Sequence, residues 1–285
     1  MRLLDLLMDM MPFGDKRLEK LDVLLLVVII LIFLRRAGLC NVQMAVFRWS
    51  VIAVNQALSV ANADQPSNLL PANMDIDGLF ELNATRLKIL RRALLRLVKP
   101  GCQWVSFAFL TENELACLTR QAGRQKFRSA RPKVSYKGNS VFQDFDICFP
   151  APRIDVFDRF AHCLETGLYQ AGQMITPSPF STAFRFNDFA IQRYAPGSQG
   201  IGVHRDGKRY QHIVVIVTLA GNSRLFATNS RDGRQRRIIN DRPGRIVLLS
   251  APLFAGRKGE VARPLHGVDH VHGGRLSLGL RIEKL

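Results

Sequence analysis

Two stretches decide the fold: His212-Ile213-Val214-Val215-Ile216-Val217-Thr218-Leu219 and Arg275-Leu276-Ser277-Leu278-Gly279-Leu280-Arg281-Ile282. The first is an unbroken apolar run rich in β-branched residues, the pattern of a strand covered on both faces. The second alternates strictly, with Leu276, Leu278, Leu280 and Ile282 on one face and Arg275, Ser277, Gly279 and Arg281 on the other. Between them, 225–228 and 237–240 flank the polar turn Arg231-Asp232-Gly233-Arg234, which reads as a hairpin. Arg242-Pro243-Gly244 turns into another apolar strand over 245–250, and 184–194 is strand-like. From about 181 onward the texture is therefore that of many short antiparallel strands.

Upstream the periodicity is helical. Over 85–99, Leu87, Leu90, Leu94, Leu97 and Val98 share one face, with Lys88, Arg92, Arg96 and Lys99 opposite, and Pro100-Gly101 stops the pattern. Thr111 and Glu114 form a capping box that opens a second helix to about Ala122. A third is expected from near Pro152 to Gly172, with Phe157, Phe160, Leu164 and Leu168 inward. Helices followed by strands indicate an α+β fold with a β-sandwich or barrel core.

The chain has 285 residues and a formal charge of +17. The charge favours an anionic partner without naming it, and the composition excludes a disordered or collagen-like chain. Five cysteines, an odd number with no CxxC pair, argue against a zinc site or a disulfide framework. Residues 23–34 are apolar and flanked by basic residues, shorter than the roughly 20 residues a spanning helix needs. Three readings of 1–43 compete: a membrane anchor, a signal peptide, or an extension before a start at Met44, toward which the intracellular texture of the rest leans. Residues 44–80 carry a polar, proline-containing linker at 62–75. A catalytic domain follows over 81–285, with its core at 181–285. A cytoplasmic monomer is expected, with membrane contact through 21–36 as the alternative.

His204-Arg205-Asp206 places an imidazole and a carboxylate two residues apart at a strand end, so both face one way. A third ligand from a distant strand would complete a two-histidine, one-carboxylate triad, the set that leaves open positions on iron(II). His266, His270 and His272 compete for that place. The ligand should end one strand before a turn leads to the arginine strand. The spacing from His266 to Arg275, with Gly273-Gly274 in the loop, favours His266, with His270 next. The polar face of the last strand, Arg275, Ser277 and Arg281 with room above Gly279, suits a carboxylate in a barrel interior. A solvated strand face is the plain alternative.

In order, Phe186-Asn187-Asp188-Phe189-Ala190-Ile191-Gln192-Arg193-Tyr194-Ala195-Pro196-Gly197, the HxD step, the Pro243-Gly244 turn and the arginine pair resemble the signature of AlkB-like iron(II)/2-oxoglutarate-dependent dioxygenases. The resemblance implies a double-stranded β-helix (jelly-roll) core with flanking N-terminal helices. It implies iron(II) on His204, Asp206 and His266, with 2-oxoglutarate and O₂ as cosubstrates. Arg275 is implied to hold the far carboxylate of 2-oxoglutarate, Arg281 to sit near its chelating end, and Tyr194 to hydrogen-bond it. Gln192 stands where the family has Asn, and Arg245 where an acidic residue is common. The implied reaction is hydroxylation or demethylation. Alkylated nucleic acid is the first substrate class, drawing on the basic stretches 124–133 and 231–237. A protein side chain or small metabolite is the second. A non-catalytic, basic nucleic-acid-binding protein is the third reading.

Overall fold

A computed structural model describes residues 78–136 and 139–284. The apolar run at 23–34, the linker at 62–75 and Met44 lie outside the described residues, as do most of the expected boundaries. Among the described residues no helix is long and apolar enough to cross a membrane.

The chain runs α1 (Ala84–Leu97), β1 (Trp104–Ala108), α2 (Glu112–Gly123), β2 (Arg128–Ser129), β3 (Lys133–Tyr136), β4 (Asn139–Asp144), β5 (Asp146–Cys148), α3 (Asp155–Gln173) and β6 (Asp188–Tyr194). It continues through β7 (Gly200–His204), β8 (Tyr210–Gly221), β9 (Arg224–Thr228), β10 (Arg237–Ile239), β11 (Arg245–Ser250), β12 (Leu265–Asp269) and β13 (Arg275–Glu283). Two sheets form, in the orders β1-β11-β8-β13-β6-β5-β2 and β10-β9-β12-β7-β4-β3. From β6 to β13 the chain changes sheet at every step except the β9–β10 hairpin, where it reverses. All the pairings are antiparallel. That path is the double-stranded β-helix.

The two deciding stretches lie side by side. β8 pairs with both β11 and β13. Its Ile213, Val215 and Val217 turn outward to the helices, joining Leu90, Leu94, Leu97, Phe157, Phe160 and Leu164 in one apolar layer. Val214 and Ile216 turn inward, toward Tyr194, Leu225, Val247 and Val268 between the sheets. Both faces are covered, which is why this strand carries no polar alternation. β13 divides as its sequence predicts, with Leu278, Leu280 and Ile282 in the helical layer.

Three expectations are corrected. The first half is not simply helical: β1 to β5 extend the edges of both sheets, and their short, mixed-polarity runs carry no strong period. α3 starts at Asp155, three residues after Pro152, because Arg153 stays outside the helix and binds Asp158 and Glu165, each at 2.6 Å. β6 starts at Asp188 rather than 184. Phe184 and Phe186 instead join Phe180 in a cluster of rings 4.9 and 5.7 Å apart, and the Phe186 N–H donates to Glu165.

The capping box at Thr111 and Glu114 is present and has a second task. Glu114 accepts from the buried Arg86 of α1 at 2.6 and 2.5 Å and from the Phe80 N–H at 2.8 Å. Burial alone would raise this carboxyl, yet its bonds to Arg86 and to the backbone N–H groups hold it below its ordinary 4.5. A depressed folded value means the contribution is complete above the unfolded value and is lost as pH falls through the folded one. Glu114→Gln should cost about 3 kcal/mol, because Arg86 stays buried without its counter-charge. Urea unfolding at pH 7 should show this loss, and it should shrink toward pH 3.

Candidate metal and carboxylate site

Strand ends bring the candidate metal-binding groups together. His204 closes β7, and His266 lies directly opposite it on β12, with ring centroids 4.3 Å apart. Gly200, at the start of β7, permits this pairing: its φ is +86°, and a Cβ there would meet the Val268 carbonyl oxygen at 2.0 Å. Asp206 follows two residues after His204, and its Oδ2 is 3.6 Å from His266 Nε2. One donor atom from each of His204, Asp206 and His266 falls within 4.8 Å of the others.

The chemistry of the set suits a divalent metal. His204 Nδ1 is 2.9 Å from the Gly202 carbonyl and His266 Nδ1 is 3.2 Å from the Pro264 carbonyl. A carbonyl only accepts, so each Nδ1 carries a proton and Nε2 is the nitrogen of each ring left for a metal. Burial, with the His266 ring beside it, pushes the His204 imidazole down to about 4, so that ring is neutral at pH 7. Burial would raise Asp206, but His266, Arg281 and His204 together hold it below the usual range. The Asp206 backbone is fixed as well, its carbonyl accepting from Arg263 Nη1 at 2.6 Å.

The position of His266 differs from the sequence argument for it. It opens β12 rather than ending a strand, and the chain runs on to Asp269 before the turn. Its partner His204 ends a strand running the other way, so antiparallel pairing requires this. His270 sits in that turn, exposed and 3.1 Å from Asp269, with the His272 ring 5.8 Å away. His270→Ala should therefore leave metal affinity within about twofold of wild type, whereas loss of a partner supporting a ligand costs 10–100-fold. Metal titration of the two proteins side by side checks this, and a collapse in His270→Ala would reassign the third donor.

One narrow cavity between the sheets joins this cluster to the polar face of β13. Gln192, Tyr194, Arg275, Ser277, Gly279 and Arg281 all line it. Register explains the grouping, since Tyr194 pairs with Arg275 and Gln192 with Ser277 across β6 and β13. The Tyr194 hydroxyl donates to Gln192 at 3.3 Å, and burial raises its ionisation well above the ordinary value. The expected room above Gly279 is taken: the Arg281 guanidinium lies over it, and a Cβ there would meet Nη2 at 3.2 Å.

Neither arginine is idle. Arg281 Nη1 donates to Asp188 at 3.0 Å, and Arg275 Nη1 donates to Asp241 at 3.0 Å and to Thr218 at 2.9 Å. Both still keep a buried Nε with no acceptor. Two orphaned guanidinium donors in one cavity fit an anionic, oxygen-rich ligand. The sequence reading missed Asp188, Thr218 and Asp241. Asp188 lies inside the quoted 186–197 stretch, but nothing there marked it as a partner for Arg281, and Asp241 lies in an irregular turn where spacing gives no signal.

No protein-family model matches the chain, and no curated protein is similar to it. Solved structures are. A 2OG-Fe(II) oxygenase family oxidoreductase from Burkholderia pseudomallei aligns over 71% of this chain and 92% of its own, at 14% identity and TM-score 0.44. A Trichoplax adhaerens prolyl hydroxylase, solved with a hypoxia inducible factor oxygen degradation domain peptide, aligns over 70% and 90%, at 13% identity and TM-score 0.47. OsALKBH1 aligns over 65% and 99%, at 13% identity and TM-score 0.43. These likenesses are distant. The fold rests on the strand order above, and the site rests on its own geometry.

The basic stretches fare differently from one another. Arg236, within 231–237, bonds Asp269 and the Gly233 carbonyl and lies 4.4 Å over the Phe226 ring. Arg234 pairs with Asp232 but is largely exposed, and Arg237 is exposed. In the other stretch Arg128, Arg131 and Lys133 are exposed along the edge strands β2 and β3.

Proposed function

We propose that this protein is an iron(II)- and 2-oxoglutarate-dependent oxygenase. The observation that carries the reading is one cavity lined by two imidazoles and a carboxylate together with two arginines whose buried Nε donors have no acceptor, Arg281 beside Asp206 and Arg275 six residues away along β13. His204, Asp206 and His266 would hold the metal. Arg275 and Ser277, with Tyr194 and Gln192 beside them, would hold the far carboxylate of the cosubstrate, and Arg281 would face its 2-oxo-acid end. When bound, iron(II), 2-oxoglutarate and O₂ together supply an oxidant able to hydroxylate a C–H bond.

The chain's own share is positioning and exclusion of water. The two Nδ1–H···O=C bonds fix which imidazole atom faces the metal, without any proton moving during turnover. Ile201, Val214, Ile216, Leu225 and Val268 wall the cavity with hydrocarbon, which strengthens every charge interaction inside. The first test is succinate formation from 2-oxoglutarate by the purified protein with iron(II) and ascorbate, over a panel of methylated oligonucleotides, peptides and small acids. A protein that binds no iron and forms no succinate with or without substrate is not this enzyme.

For the substrate we infer alkylated nucleic acid, supported by the charge of +17 and by the exposed Arg128, Arg131 and Lys133 on and between the edge strands β2 and β3. Each phosphate neutralised on a single strand adds about 0.7 to the salt slope, so six contacts would weaken binding by a few hundredfold between about 50 and 200 mM salt. Changing Arg128, Arg131 and Lys133 to Gln should flatten that slope and leave 2-oxoglutarate affinity alone. One observation favours the second reading, hydroxylation of a protein or small metabolite. Many of the cations are paired within the fold: Arg224 and Arg236 with Asp269, Arg205 with Glu260, and Arg209 with Glu283. Weak oligonucleotide binding with no response to the triple substitution would select it.

A further inference from the structure

Arg275 reaches the cavity with one edge already occupied. Its Nη1 donates to Asp241 Oδ2 at 3.0 Å and to Thr218 Oγ1 at 2.9 Å, and Thr218 Oγ1 donates to the same carboxylate oxygen at 3.0 Å. All three residues are buried, and the Arg275 side chain is 1% exposed. The free Nε marks the opposite edge, the one left for a ligand. Asp241 comes from the turn between β10 and β11 and stands behind Arg275 without lining the cavity itself. Arg281 offers no spare charge nearby, because it faces Asp188 at 3.0 Å and Asp206 at 3.9 Å.

We propose that Asp241 is a built-in counter-ion that weakens and tunes the grip of Arg275 on the cosubstrate carboxylate. The inference rests on the oxygenase reading. A lone guanidinium in this cavity would be costly to bury, and Asp241 relieves that cost in the ligand-free protein. The same charge then stands against any carboxylate docking on the open edge, since two carboxylates on one guanidinium repel each other. Asp241 therefore trades affinity for stability of the empty pocket. Thr218 is the positioning residue that keeps the carboxylate on Nη1 and off the ligand edge.

The test measures 2-oxoglutarate binding calorimetrically to the full chain loaded with Mn(II), without O₂, so that no turnover is needed. Asp241→Asn keeps the shape and an acceptor for Nη1 but removes the charge. It should bind 2-oxoglutarate at least about tenfold more tightly, a change of 1.4 kcal/mol. Its ligand-free melting temperature should fall, and saturating 2-oxoglutarate should raise it by more than in wild type. Unchanged or weaker binding by the variant overturns the inference and leaves the oxygenase reading standing. Failure of the wild type to bind 2-oxoglutarate at all overturns both. A second arm needs no variant: because the pair is already neutral, wild type should prefer 2-oxoglutarate over its distal amide by less than about tenfold. A preference of about tenfold or more overturns the inference even if the variant does not fold.

Discussion

Asp206→Ala is expected to lose iron(II) binding and turnover together. On the oxygenase reading the three donors must leave positions open for the cosubstrates, and among the described residues no fourth donor joins the cluster. Loss of a partner supporting a ligand already costs 10–100-fold in affinity, and loss of the ligand itself should exceed about 100-fold. His204→Ala should match it. The fold should survive, because both side chains sit at the end of β7 and not in the apolar layer between sheet and helices. Metal content after gel filtration and succinate formation are the two readouts. A variant that holds stoichiometric iron while failing to form succinate would place the metal elsewhere.

Arg275→Ala should damage both cosubstrate binding and stability. Removing the guanidinium leaves Asp241 as a buried carboxylate facing only Thr218, a cost of roughly 3–5 kcal/mol of folding stability. The same change should weaken 2-oxoglutarate binding by roughly 2–5 kcal/mol, while iron binding persists. Adding Asp241→Asn to Arg275→Ala separates the two effects. The second substitution should restore much of the stability and, by removing the opposing charge, part but not all of the affinity. Recovery of full 2-oxoglutarate affinity in the double variant would show that Arg275 does not contact the ligand.

Both variants address residues that the sequence singles out. The alternation of 275–282 determines by itself that two arginines and a serine share a face, because a strand has period two. Cross-strand pairing with β6 then decides that this face meets Gln192 and Tyr194 inside the barrel instead of solvent. The apolar run at 212–219 announces a strand covered on both sides, and the structure supplies a helical layer outside and a second sheet inside. β1 to β5 were illegible because two to six residues of mixed polarity carry too little periodic signal, and their strand state depends on the edges they dock against.

The candidate metal cluster divides in the same way. His204 and Asp206 belong together by local geometry alone, two residues apart at a strand end. Which histidine stands opposite them is a long-range fact, fixed by the antiparallel register that sets His266 against His204 and leaves His270 in the turn. Local periodicity and turn chemistry are encoded within a few residues, and the sequence by itself determined them: the main strands, the capped helices, the HxD pair and the polar face of β13. Charge partners are encoded by where the chain returns after dozens of residues. Arg86 meets Glu114 28 positions away, Arg275 meets Asp241 34 away, and Arg281 meets Asp188 93 away. Those pairings were decided only by the tertiary structure, because a buried charge takes whichever opposite charge the packing brings within reach.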